Sequence, residues 1–197
     1  MQAKDKFLEK INFLILIFSL CLSHKLYAEN IYEKVFNYND SLKNSSMNFI
    51  QTTFQDLQEG EVFFGDERIK INYNNPQKLT IIFSEKKGVY INHELEESEF
   101  FLTKKSYIKF FFDVFNNKTY LESMSLKLTT DQIEITEKIL LDNSTYTIRL
   151  VYENDPIKLR RLEILGDDEE IQMGFFNHFI ESVFDKKFFS MIDPYPN

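Results

Sequence analysis

Residues 68–74 read Arg-Ile-Lys-Ile-Asn-Tyr-Asn, an unbroken alternation of polar and apolar side chains. Successive side chains of a strand point to opposite faces, so such a run has one dry face and one wet face. The same period returns in 79–84, 132–136, 146–152 and 162–164. Turn residues punctuate the runs at Asn74-Asn75-Pro76, Asp142-Asn143, Asn154-Asp155-Pro156 and Gly166-Asp167-Asp168. Spacings this short make neighbouring strands antiparallel hairpins. The expectation is a mainly β chain built on a single large antiparallel sheet, one face of which has to be buried.

Two segments keep a different period. Within 29–43, Ile31, Val35, Tyr38 and Leu42 recur at steps of four, three and four, the spacing of one helix face. Within 104–117, Tyr107, Ile108, Phe111, Phe112 and Phe115 form a second amphipathic helix. Two short helices, each with one apolar stripe, cover about half of the dry face. The rest must be filled by side chains, by closing the sheet on itself, or by a ligand. Composition sharpens the point, since 21 Phe and 10 Tyr against 5 Gly and 4 Pro leave much apolar surface to place. There is no internal repeat, low-complexity tract or linker, so one domain is expected.

The first residues bear on compartment. Lys4, Lys6 and Lys10 precede an almost uncharged stretch from Ile11 to Ser23, and Leu26-Tyr27-Ala28 offers a small residue just before Glu29. That three-part order is a secretory signal peptide, and an apolar stretch of about 13 residues falls short of the ~20 that span a bilayer. The expected organisation is a removed leader over 1–28 and a domain over 29–197, working in the periplasm. Cys21 follows the bulky Leu20, where lipid attachment wants a small residue, so it belongs to the leader core. Removal of the leader leaves 169 residues without cysteine, which excludes disulfides and a thiolate nucleophile. The leader carries four lysines against Asp5 and Glu9, so the net charge falls from −8 to −10. An acidic chain of this kind does not select nucleic acid or an anionic membrane surface.

No catalytic pattern accompanies the fold signals. His24 leaves with the leader, while His93 and His178 stand in unrelated stretches without metal-ligand spacing. A nucleophile-elbow motif and a phosphate-cradling glycine loop are both missing. Asp167-Asp168-Glu169-Glu170 lacks the spaced oxygens and central glycine of a calcium loop, and reads as a solvated turn. The expectation is a binding protein, not an enzyme, with neither cofactor nor metal. An envelope hydrolase with an unrecognised carboxylate site is the alternative from another class.

The order of several short motifs resembles the LolA-type outer-membrane lipoprotein carriers. Phe49-Ile50-Gln51 resembles the family's "F-x-Q" entry to its first strand, and Glu59 to Phe64 its second. Arg68 to Tyr73, followed by Pro76, is similar to "F-R-W-x-Y…P". Val89-Tyr90-Ile91-Asn92 with Leu95 and Glu97 is similar to "l-x-x-Y-D-x-x-L-x-Q". Phe188-Phe189-Ser190-Met191-Ile192-Asp193-Pro194 resembles the closing "F-x-f-x-x-P". Two departures stand out. Gly65-Asp66 replaces the family's Arg-Pro, and Ser84-Glu85 replaces Asp-Gly in the hairpin before "Y-D". In the family that arginine bonds the backbone of a helical lid, which a glycine cannot do.

The resemblance implies a sheet curved into an incomplete β-barrel with a helical lid over an apolar cavity. It implies a monomeric carrier of acylated lipoproteins, loaded by an inner-membrane ATP-driven releasing complex and unloaded to an outer-membrane acceptor. A lipid or glycolipid shuttle and a lipoprotein-sensing module of the same fold are alternatives. Combined with the alternation, it places Ile69, Ile71, Tyr73, Leu79, Ile81, Phe83, Ile133, Ile135, Ile148, Leu150, Leu162 and Ile164 on the cavity wall. Ile31, Val35, Ile108, Phe111 and Phe112 would form the lid. Alternation alone marks a buried face and does not distinguish lipid from protein as its filling.

Overall fold

The computed structural model describes residues 31–195, except Gln55, Asp142, Asp168, Glu181, Ser182 and Lys186. The proposed leader therefore lies outside the described residues. A helix over 31–41 (α1) opens the described chain. Six strands follow in a meander: β1 (Ser45–Thr52), β2 (Leu57–Phe64), β3 (Ile69–Asn75), β4 (Leu79–Phe83), β5 (Lys87–Asn92) and β6 (Glu97–Leu102). A single 3-10 turn at Thr103–Lys105 leads to two helices, α2 (Ile108–Asn116) and α3 (Lys118–Ser123). A second meander completes the fold: β7 (Ser125–Leu128), β8 (Gln132–Leu141), β9 (Ser144–Asn154), β10 (Ile157–Leu165) and β11 (Glu170–Phe179).

All eleven strands belong to one antiparallel sheet, in the order β6-β5-β4-β3-β2-β1-β11-β10-β9-β8-β7. The first strand of one meander and the last of the other, β1 and β11, are hydrogen-bonded neighbours, while β6 and β7 are the free edges. The sheet is therefore an incomplete barrel, with three short helices on its concave side. Register shifts between Ser46 and Asn48 and between Leu159 and Arg161 interrupt the ladders, and such bulges bend a sheet and increase its twist.

Register explains which residues face the core. Ile69 pairs with Phe83, Ile71 with Ile81 and Tyr73 with Leu79, so the alternation of β3 and β4 falls on one face. Ile133 opposite Tyr152 and Ile135 opposite Leu150 continue it on β8 and β9. Against this face pack Ile31, Val35 and Leu42 from α1 and its C-terminal end, with Phe110, Phe111, Phe112, Val114 and Phe115 of α2, in one continuous buried cluster. Gly60 matters here, because the ring of Phe49 lies across it. A Cβ at that position would come within 2.6 Å of Phe49 Cζ.

A second, smaller core forms on the convex face, which sequence periodicity left wet. Ile82, Val89 and Ile91 point outward and are covered by Phe189, Met191 and Tyr195 from the C-terminal segment. Three polar groups hold this strap. Arg68 donates to the Phe189 carbonyl at 2.6 Å. The Lys70 ammonium lies 4.0 Å from the Phe188 ring centroid. The His93 ring bridges Thr80 Oγ1 and the Tyr195 hydroxyl at 2.9 and 3.0 Å.

Candidate functional site

The concave face is not filled completely. A cavity of about 120 Å³ remains between the sheet and the first turns of α2. Its wall is drawn from both meanders across the β1–β11 seam. Of the residues expected there, Ile71, Tyr73, Ile81, Phe83, Ile148, Leu162 and Ile164 line it. Ile69, Leu79, Ile133, Ile135 and Leu150 are buried but do not reach the wall. Among the expected lid residues, Ile108 and Phe111 face the cavity, whereas Ile31, Val35 and Phe112 are packed into the adjoining core.

Several wall residues escaped the sequence reading. Ile171, Met173 and Phe175 of β11 line the cavity, as do Val62 and Phe110. The signal for β11 was present, since Ile171-Gln172-Met173-Gly174-Phe175 alternates strictly. Gln51, the polar member of the "F-x-Q" motif, is also on the wall. Its carboxamide accepts a hydrogen bond from the Tyr73 hydroxyl at 2.9 Å and donates to Gln58 Oε1 at 3.1 Å. With its hydrogen-bonding groups paired, a buried carboxamide avoids the cost of an orphaned polar group.

Tyr73 and Tyr107 are the other polar lining residues. Burial raises the pKa of both phenols above the ordinary value. The neighbouring Tyr107 and Tyr90 add to this for Tyr73, and Glu169 and Tyr146 for Tyr107. Both are neutral hydroxyls at physiological pH. No lysine, arginine or carboxylate stands among the described lining residues, and no group of His, Cys, Asp or Glu among the described residues is arranged to hold a metal. The arrangement offers apolar contact and a few uncharged hydrogen-bonding groups.

The covering helices differ in attachment. α1 is bonded through Tyr32 to the Met124 carbonyl at 2.6 Å, and through Tyr38, whose hydroxyl accepts from the Leu159 amide at 3.0 Å. Asn39 accepts from the Tyr152 hydroxyl and donates to the Val114 carbonyl, both at 3.2 Å. α2 begins at Tyr107 without a side-chain cap. Its N-terminal half meets the sheet through apolar side chains, among them Phe111 with Phe83 at 6.3 Å between ring centroids. Gly65, where the resemblance places a lid-binding arginine, faces the strap instead. A Cβ there would lie 2.9 Å from the Phe189 ring, so the strap takes the space that a side chain would need.

No protein-family model matches the chain, and no curated protein matches it. Among solved structures, it is similar to an uncharacterized conserved protein from Thermus thermophilus. The two share 6% identity with a TM-score of 0.55, over 84% of this chain and 95% of that one. MucB in the Pseudomonas aeruginosa MucA/MucB complex aligns with 10% identity and a TM-score of 0.48, over 83% of this chain and 60% of that one. LprF from Mycobacterium bovis aligns with 12% identity and a TM-score of 0.42, over 86% and 98%. At 6% identity, the Thermus likeness shows a shared fold alone.

Proposed function

We propose that this chain is an exported, periplasmic carrier that holds the acyl part of a lipoprotein between its sheet and α2. The supporting observation is the apolar cavity beneath the N-terminal half of that helix, with Ile71, Ile81 and Ile108 on its wall. Each buried methylene is worth about 0.8 kcal/mol, so two or three acyl chains hold a lipoprotein in a membrane until a comparably apolar surface is offered. The cavity volume sets the mechanism. An apolar void of ~150 Å³ admits one benzene, so a whole acyl chain enters only when α2 lifts and exposes the aromatic face beneath it. The carrier would receive its cargo from an inner-membrane ATP-driven releasing complex and pass it to an outer-membrane acceptor, without catalysing a reaction.

The test mixes purified protein with a triacylated lipoprotein released from membranes and looks for a soluble one-to-one complex by size exclusion. The wild type is expected to form it. Ile71→Glu, which puts a carboxylate on the wall, is expected to lose it while circular dichroism remains native. Ile81→Trp, which fills the void with apolar bulk, serves as a second blocked variant. Lipoprotein that stays insoluble with wild-type protein would sink the reading.

A further inference from the structure

Charge around the cavity is distributed unevenly. Gln51, Tyr73 and Ile171 place one end of the cavity near the ends of β1, β3 and β11, while Val62 and Phe83 carry its wall toward the other end of the sheet. The turns joining strands at that end carry Asp56, Glu94, Glu96, Asp167 and Glu169 against a single lysine, Lys78, among the described residues; of Lys104 and Lys109, which flank Tyr107 in sequence, Lys109 is paired with Asp113. The wall itself presents a carboxamide and two phenols as its polar groups. Beyond the Tyr73–Gln51–Gln58 bonds, these groups can donate to an ester carbonyl or an ether oxygen, and can donate to or accept from a hydroxyl. None of them can neutralise an anion, and a buried charge without a partner is expensive. A carboxylate or phosphate at this end would meet a field of its own sign.

We infer, resting on the carrier reading, that the cavity selects amphiphiles whose head is uncharged, such as an acylated glycerol or glycoside, and rejects free fatty acids and other anionic single-chain lipids. The polar head sits at the Gln51–Tyr73–Tyr107 rim, and the tail runs inward beneath α2.

The experiment titrates purified protein with 1-monolauroylglycerol and with laurate, which share one chain length. Both are kept below their micelle concentrations at pH 8, and binding is read by calorimetry. The monoglyceride is expected to bind at least about ten-fold more tightly, a difference of ~1.4 kcal/mol. Laurate binding as well as the monoglyceride overturns the head-group inference and leaves the carrier reading standing. Silence from both lipids overturns the carrier reading and this inference with it. Glu169→Lys is expected to raise laurate affinity several-fold with little change for the monoglyceride, and an unmoved laurate affinity counts against the acidic rim as its cause.

Discussion

α1 and the first half of α2 both cover the concave face, yet they are held there by different physics. α1 carries three polar attachments, at Tyr32, Tyr38 and Asn39, to fixed backbone or side-chain partners. α2 receives one such bond from another element among the described residues, from Asn39 to Val114 near its C-terminal end. Hydrogen bonds are directional and are lost when a helix shifts, whereas apolar contact is not directional. On the proposed carrier reading, a phenylalanine lifted from Phe83 would exchange that contact for an acyl chain at little cost. Of the two covers, α1 is the more firmly attached. In the proposed function, α2 is therefore the cover that would lift.

The comparison breaks most readily under truncation. Leu42, just past α1, is fully buried, and Leu42→Ala is expected to cost about 2–5 kcal/mol in urea unfolding. Ile108→Ala on the cavity wall, where the side chain is only partly buried, is expected to cost under ~1.5 kcal/mol because less apolar area leaves water there on folding. Equal costs would remove the distinction. Next in size is Asn39→Ala. It strands the buried Tyr152 hydroxyl and releases the Val114 carbonyl, at an expected cost of about 1–3 kcal/mol. Hydrogen exchange should quicken in the C-terminal turn of α2 and remain as before in β3 and β4. A uniform change across the molecule would show that Asn39 does not pin the helix.

The smallest effect depends on pH. Tyr120 of α3 packs edge-on against Phe110 of α2, with ring centroids 6.2 Å apart. Burial, then the Glu137 and Asp113 carboxylates, push its phenol from 10.0 up to about 12. The folded state therefore holds this proton more tightly than the unfolded chain does. Its contribution is complete below pH 10 and is lost as pH rises through about 12. The Tyr120 contribution to thermal stability should be constant up to pH 10 and decline above it. Tyr120→Phe should shallow that decline, and an identical slope in the variant would assign it elsewhere.

How far the sequence disclosed this molecule depended on whether a contact was local. Period two at 68–74 announced β3, and the turn at Asn74-Asn75-Pro76 announced its hairpin, because both are properties of neighbouring residues. The cavity-facing half of α2 was legible for the same reason, from Ile108 and Phe111. The strap was not legible. Ile82 stands where alternation in 79–84 expects water, and Val89 and Ile91 share its convex face only through their pairing in the sheet; all three are dry because Phe189, Met191 and Tyr195 return from far along the chain. Division of the wall was equally hidden. Ile69 and Ile71 alternate alike, yet only Ile71 meets the cavity, since that depends on where α2 crosses. Gly65 was visible as a departure, and its reason lay in Phe189, far along the chain.

The strand order also dictates when the molecule can be finished. Every pairing but one joins strands consecutive in the chain; the exception is β1 with β11. Each meander can zip from local hairpins, with little loop entropy to overcome. The seam closes a far longer loop, and the bond from Arg68 to Phe189 spans 121 positions. A chain emerging N-terminus first therefore builds β1 to β6 early while the inner edge of β1 stands open, an edge able to pair with another copy. Only the last strand seals that edge, and only the strap after it dries the convex face. Premature termination, more than substitution in the early strands, is thus the error this architecture tolerates least.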